Sequence, residues 1–203
     1  MTRAIAVVTA GLSQPSSSRL LAEQLAEATV RSLTLLGEDV HVDVIELRGL
    51  AHAITDDLLT GFPSGALAEA VELVRQADAV IAVTPIFSAS YSGLFKSFFD
   101  VLDAGVLDGK PVLLGATAGT ARHSLAIEFA LRPLFAYLKA EVVPTAVFAA
   151  SEDFGSTAAG TLADRVDRAG LELANRLTSR PVGRDTVDPF ENPVPFEALL
   201  AGR

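Results

Sequence analysis

The 203 residues are 50% hydrophobic and 20% charged, the balance of one packed domain and not of a disordered chain. With no cysteine, structural disulfides, thiolate metal sites, thiol nucleophiles and redox dithiols are all excluded. The formal charge of −9 argues against a nucleic-acid or anionic-membrane surface. No apolar run approaches the roughly 20 residues of a membrane span, and the N-terminus carries no signal-peptide pattern, so a cytoplasmic location is expected.

Hydrophobic runs alternate with segments of helical period. Ala4 to Ala10 is apolar on both faces and followed by Gly11, which reads as a buried parallel strand. Ser17 to Leu36 reads as a helix with an apolar stripe through Leu20, Leu21, Leu25, Ala28 and Leu35, ended by Gly37. Val40 to Leu47 alternates apolar and polar residues, the pattern of a half-exposed strand near an edge. A helix over Leu67 to Ala77 and a buried strand over Ala79 to Thr84, stopped by Pro85, come next. Then follow a helix from Gly93 to Asp103, a strand from Pro111 to Ala116, a helix from Ser124 to Ala140, a strand from Val142 to Ala149 and a helix from Leu162 to Thr178. This alternation predicts an α/β fold of three layers, α/β/α, with a five-stranded parallel sheet and right-handed crossovers. The flavodoxin-like order 2-1-3-4-5 suits five strands better than a six-stranded dinucleotide-binding sheet. The domain is expected over residues 1–180. Residues 181–203 hold prolines at 181, 189, 193 and 195, which predicts an extended C-terminal arm, with Phe190, Phe196, Leu199 and Leu200 as apolar anchors.

Ligands of such sheets sit beyond the carboxyl ends of the strands where the order reverses, so three loops matter. The first runs from Gly11 to Arg19 with Ser13, Ser16, Ser17, Ser18 and Arg19 at a helix N-terminus. Hydroxyls, backbone N–H groups and a cation there suit a phosphate monoester, although serines also serve as plain helix caps. Neither the Walker pattern nor GxGxxG is present. The second loop, Thr84-Pro85-Ile86-Phe87-Ser88 and on to Lys96, offers an extended backbone and the rings of Phe87 and Tyr91 to a planar heterocycle, or to the core. The third, Ala116-Thr117-Ala118-Gly119-Thr120 and on to Ser124, allows close backbone approach and carries Arg122 and His123 as anion contacts or surface groups. A phospho-acceptor receiver is excluded, because the acidic cluster its chemistry needs is missing from these loops.

The stretch TPIFSASYSGLFKSFFD at 84–100 resembles the T-P-x-Y-x-x-x-Y-S-G-x-L-K-x-x-x-D pattern of the flavodoxin-like NAD(P)H-dependent FMN reductases. ATAGTARHSLAIEFALRP at 116–133 is similar to the flavin reductase components of two-component monooxygenase systems. The resemblance covers residues 4–150 and departs at the first loop, where the family's Gly-Ser-x-Arg is Gly11-Leu12-Ser13-Gln14, and at Phe87, commonly Tyr. It implies FMN, with the phosphate at residues 13–19 (Arg19 taking over the cationic contact) and the isoalloxazine against 84–88 and 117–120. It also implies NADPH or NADH as co-substrate, and the place of Arg122 and His123 beside the third loop makes them the candidate contacts of that nucleotide. Hydride passes from nicotinamide C4 to flavin N5 without a side-chain acid or base, so no catalytic residue and no metal is expected. The resemblance further implies a homodimer or homotetramer and a monooxygenase that receives reduced FMN. A quinone or azo reductase, an electron-carrying flavodoxin and a non-enzymatic ligand-binding module stay open as alternatives. The helix at 93–103 supports assembly, since Leu94, Phe95, Phe98, Phe99, Val101 and Leu102 leave it apolar nearly all round.

Overall fold

The strands at the centre of the molecule are the continuous apolar runs. In the computed structural model, which describes residues 2–155 and 161–180, β1 (Arg3–Thr9), β3 (Ala79–Phe87) and β5 (Pro111–Ala118) form the middle of a parallel sheet. β2 (Val40–Glu46) pairs parallel with β1 at one edge. Both β6 (Glu141–Val142) and β7 (Val147–Ala150) pair parallel with β5 at the other. The expected order 2-1-3-4-5 is present, with the fifth strand split in two. Pro144 sits at the break and has no N–H for a ladder. Arg132 donates to the Val143 carbonyl at 3.1 Å and also to the Pro144 carbonyl, satisfying the interrupted backbone. The arm expected over 181–203 lies outside the described residues.

Alternate residues of each strand enter opposite cores. Ile5, Val7, Ile81, Val83 and Leu113 meet α1 (Ser17–Leu35) and α6 (Leu162–Thr178) on one face. Ala6, Val8, Val80, Ala82 and Leu114 meet α2 (Leu47–Thr60), α3 (Ala66–Gln76), α4 (Gly93–Asp100) and α5 (Arg132–Tyr137) on the other. Within α1, Leu20 and Leu35 of the expected stripe are exposed, and Ala22, Ala26 and Leu33 are buried in their place.

Four local structures differ from the sequence reading. α2 has no counterpart among the expected elements, and it follows β2 with no intervening turn. β3 runs through Pro85 to Phe87, then folds back on β4 (Ser90–Tyr91) through Ser88 and Ala89, both at positive φ. Pro85 is tolerated because the Val83 carbonyl accepts from Ala10 N, so the nitrogen two residues on turns to the same side, past the last rung shared with β1. α4 ends at Asp100, and its apolar excess is absorbed within the chain. Phe95, Phe98 and Phe99 are buried against α2 and Phe135, with ring centroids 4.7 Å apart for Phe95–Phe99 and 4.9 Å for Phe99–Phe135. That packing removes the assembly argument based on this helix. Finally, the helix expected from Ser124 to Ala140 is a 3₁₀ turn (Ala121–His123), a π-helical turn (Ile127–Leu131) and then α5. Pro133, which cannot donate to the carbonyl a turn earlier, is the physical reason for the widened turn.

Candidate functional site

The cleft lies where the loops after β1, β3 and β5 converge. Its volume is about 340 Å³, at the small end of ligand pockets. The first loop contributes Gly11, Leu12, Ser13 and Ser16. Its turn is tight: a Cβ on Gly11 would stand 1.9 Å from Ser16 Oγ. Ser16 caps α1, its hydroxyl accepting from Arg19 N at 3.2 Å, and Ser17 and Ser18 complete the first helical turn. Ser16, Ser17 and Ser18 thus line the cleft at the positive end of the α1 dipole. Ser18 Oγ and Thr117 Oγ1 share a buried hydrogen bond of 2.7 Å, which bolts α1 to the end of β5.

The second loop contributes Pro85, Ile86 and Phe87, the last 48% exposed and so able to lie against a ligand. Thr84, expected at the ligand, is fully buried beneath this wall. Its hydroxyl accepts from Ser92 N at 3.1 Å and donates to the Pro85 carbonyl at 2.9 Å, holding the loop against the start of α4. Ser88 lies on the hairpin turn outside the lining.

The third loop contributes Thr117, Ala118 and Gly119, the last with open space where a Cβ would stand. Thr120, Arg122 and His123 are exposed just beyond it and do not line the cleft. Ser151, after β7, completes the wall. The sequence reading missed Gly11, Leu12 and Ser151. Gly11 and Leu12 fall within the first expected loop but carry no donor side chain to single them out, and Ser151 follows the fifth strand, beyond the three expected loops.

Arg19 stands apart. Its Nε donates to Glu23 Oε1 at 2.6 Å and its Nη1 to Glu46 Oε1, at the end of β2. The bond to Glu23 is the first cause holding its pKa above the ordinary arginine value; burial opposes it and the charge of Glu46 adds to it. No charged side chain lines the cleft among the described residues.

This donor set fits FMN. Uncharged hydroxyls and a helix start suit the phosphate, and a half-exposed ring, two apolar side chains and a small-residue backbone suit the isoalloxazine. Among the described residues no cluster of His, Cys, Asp and Glu could hold a metal, and no helix is long and apolar enough to cross a membrane.

Comparison with known proteins gives the family and the fold. A Pseudomonas putida protein named NADH-dependent FMN reductase SfnF is 37% identical over 150 residues, 74% of this chain and 78% of its own. FMN reductase (NADPH) from Pseudomonas aeruginosa is 33% identical over 152 residues, 74% of this chain and 78% of its own. Among solved structures, an oxidoreductase from Corynebacterium diphtheriae superposes with a TM-score of 0.85 at 43% identity, covering 89% of this chain and 99% of that one. The apo form of the NADH:FMN oxidoreductase EmoB superposes at 0.75 with 29% identity, covering 94% and 99%. An archaeal flavodoxin at 13% identity and TM-score 0.58 shares the fold alone. The family model described as NADPH-dependent FMN reductase matches residues 3–155, three strands' worth of site loops included, and the chain belongs to that family.

Proposed function

We propose that this protein is an NAD(P)H:FMN oxidoreductase whose site is the cleft between the loops after β1, β3 and β5. The observation that carries the reading is the convergence, on one rim, of a serine-lined helix start, the half-exposed Phe87 and the small-residue backbone at 117–119. FMN, when bound, supplies the acceptor for a hydride from the nicotinamide ring. The chain binds and orients. Ser13, Ser16, Ser17 and the first amides of α1 hold the phosphate. Ser18 and Thr117 fix the distance between the two ends of the site through their shared hydrogen bond. Pro85, Ile86 and Phe87 on one side, and Thr117, Ala118 and Gly119 on the other, position the ring and exclude water. Thr84 braces that wall from below.

The test is steady-state oxidation of NADH and of NADPH, with FMN, FAD, riboflavin and a quinone each offered as acceptor. Turnover fastest with FMN is expected. Turnover with the quinone alone would make the protein a quinone reductase, and none with any acceptor would leave an electron carrier.

Arg122 and His123, exposed on the 3₁₀ turn beside the third loop, are the proposed contacts of the nicotinamide nucleotide. Arg122→Ala is expected to raise KM for NADPH several-fold, by roughly 1 kcal/mol for an exposed charge-assisted contact, and to leave NADH nearly unchanged. An unchanged ratio between the two nucleotides would return Arg122 to the solvated surface. Assembly as a homodimer or homotetramer is likewise proposed. Its support is a stripe at four-residue spacing, Leu125, Phe129, Pro133 and Tyr137, all exposed, with Phe129 at 77% and Tyr137 at 84%. Delivery of reduced FMN to a cytoplasmic monooxygenase is the proposed cellular role, supported by the resemblance of residues 116–133 to such reductase components.

A further inference from the structure

An arginine on the first helical turn of a phosphate-binding loop can give the phosphate a charge-assisted contact. Here the side chain turns the other way. β2 lies on the side of β1 opposite β3, and the cleft is built on β1, β3 and β5, so a contact to the end of β2 points away from it. Glu46 stands at that end, in register with Thr9 of β1, and takes one arm of the guanidinium. Glu23, one turn further along α1, takes Nε at 2.6 Å. The planar fork that would grip a phosphate is thus committed to two carboxylates, and the triad carries a net charge of −1 from one cation and two anions. All three side chains are partly exposed, so the arrangement is held by competing surface pairs and is open to change by substitution.

We infer that Arg19 is a withheld cation: the FMN phosphate is held by uncharged donors alone, and Glu23 and Glu46 set how strongly the site prefers FMN to riboflavin by keeping Arg19 off the phosphate. This rests on the reading of the cleft as the FMN site. Neutral donors make the contact weakly dependent on salt and let the flavin exchange, whereas a released arginine would add a charge-assisted bond that only the phosphorylated flavin receives.

Equilibrium dialysis of the full chain against FMN and against riboflavin tests it without any turnover. In Arg19→Ala, both dissociation constants are expected to stay within about twofold of the parent. In the parent, the constant for FMN is expected to change by less than about threefold between roughly 0.05 and 0.5 M KCl. In Glu23→Gln/Glu46→Gln, FMN is expected to bind about tenfold tighter at low salt with riboflavin unchanged, and the gain is expected to vanish when Arg19→Ala is added. Two results would overturn the inference. One is a tenfold loss of FMN alone in Arg19→Ala, which would put the guanidinium on the phosphate. The other is a gain that survives in the triple variant, which would reduce the two glutamates to simple repulsion. Failure of both flavins to bind the parent would instead overturn the cofactor reading on which the inference stands.

Discussion

Gly170→Ala is expected to lower the unfolding free energy by about 2 kcal/mol even though alanine is the better helix former. Gly170 is where α6 crosses α1, and a Cβ there would stand 2.8 Å from Ala28 C, Ala28 Cβ and Thr29 N. Two of those three atoms are backbone, so no rotamer change relieves the contact. α1 cannot back away cheaply either. Its inner side presses Leu21 and Leu25, both fully buried, into the sheet, and its start is tied to β5 through Ser18 and Thr117. Overpacking costs about 1–3 kcal/mol, contact with backbone puts this site at about 3 kcal/mol, and the gain in helix propensity returns about 1 kcal/mol. The melting temperature should fall by roughly 4–8 °C for a domain of this size. Gly49→Ala on α2 is the matched control, because a Cβ there meets nothing within 4 Å. It should be stabilising by up to about 1 kcal/mol. Equal shifts for both variants in urea or thermal unfolding would show that the α1–α6 crossing does not set the helix separation.

The central architecture was legible because its strands are buried on both faces. β1, β3 and β5 appear in the sequence as unbroken apolar runs, and alternation with helices then leaves few topologies. α2 escaped because its buried positions are Leu47 and Ile54 with Leu50 half-buried, and the next position on the stripe is Asp57, a charge where an apolar residue is expected. It also begins on the residue after β2, so no turn signal separates the two. Pro144 and Pro133 were visible, but their effects depend on partners such as Arg132 that only the fold brings near. The site was legible to the level of loops, since topology alone says which strand ends converge. Individual side chains were less so. Thr84 reads as a ligand contact by position, but its partner is Ser92 N, and the burial of the pair shows a brace. Arg19 reads as a phosphate contact by its place on the helix start, yet Glu46 lies 27 residues away and reaches it only through the β1–β2 pairing.

Gly11→Ala should weaken FMN about tenfold, with little change in overall fold. The first loop folds so tightly that the added carbon would meet Ser16 Oγ at 1.9 Å, Ser16 Cβ at 3.0 Å and Ser18 Cβ at 3.4 Å. Rotating the Ser16 hydroxyl away relieves only the first of these and gives up the cap to Arg19 N, worth about 1 kcal/mol. The remaining contact, carbon on carbon, obliges the loop to lift from the start of α1. Lifting it moves Ser13 and the amides around it relative to Ser17, so the phosphate loses the simultaneous contacts that its affinity depends on. The wall at Pro85–Phe87, the proposed isoalloxazine contact, belongs to another strand and should stay in place, so riboflavin should lose less than FMN. A second substitution separates this steric account from a general loss of folding. Ser16→Gly removes both the hydroxyl and the Cβ that obstruct, and glycine at a helix cap costs only a few tenths of a kcal/mol relative to serine. Gly11→Ala/Ser16→Gly should therefore bind FMN about as well as Ser16→Gly alone, a non-additive rescue that equilibrium dialysis reads directly. Strictly additive losses would mean that the loop yields to the extra carbon without moving the serines, and that the close approach of Gly11 to Ser16 has no part in shaping the phosphate end of the cleft.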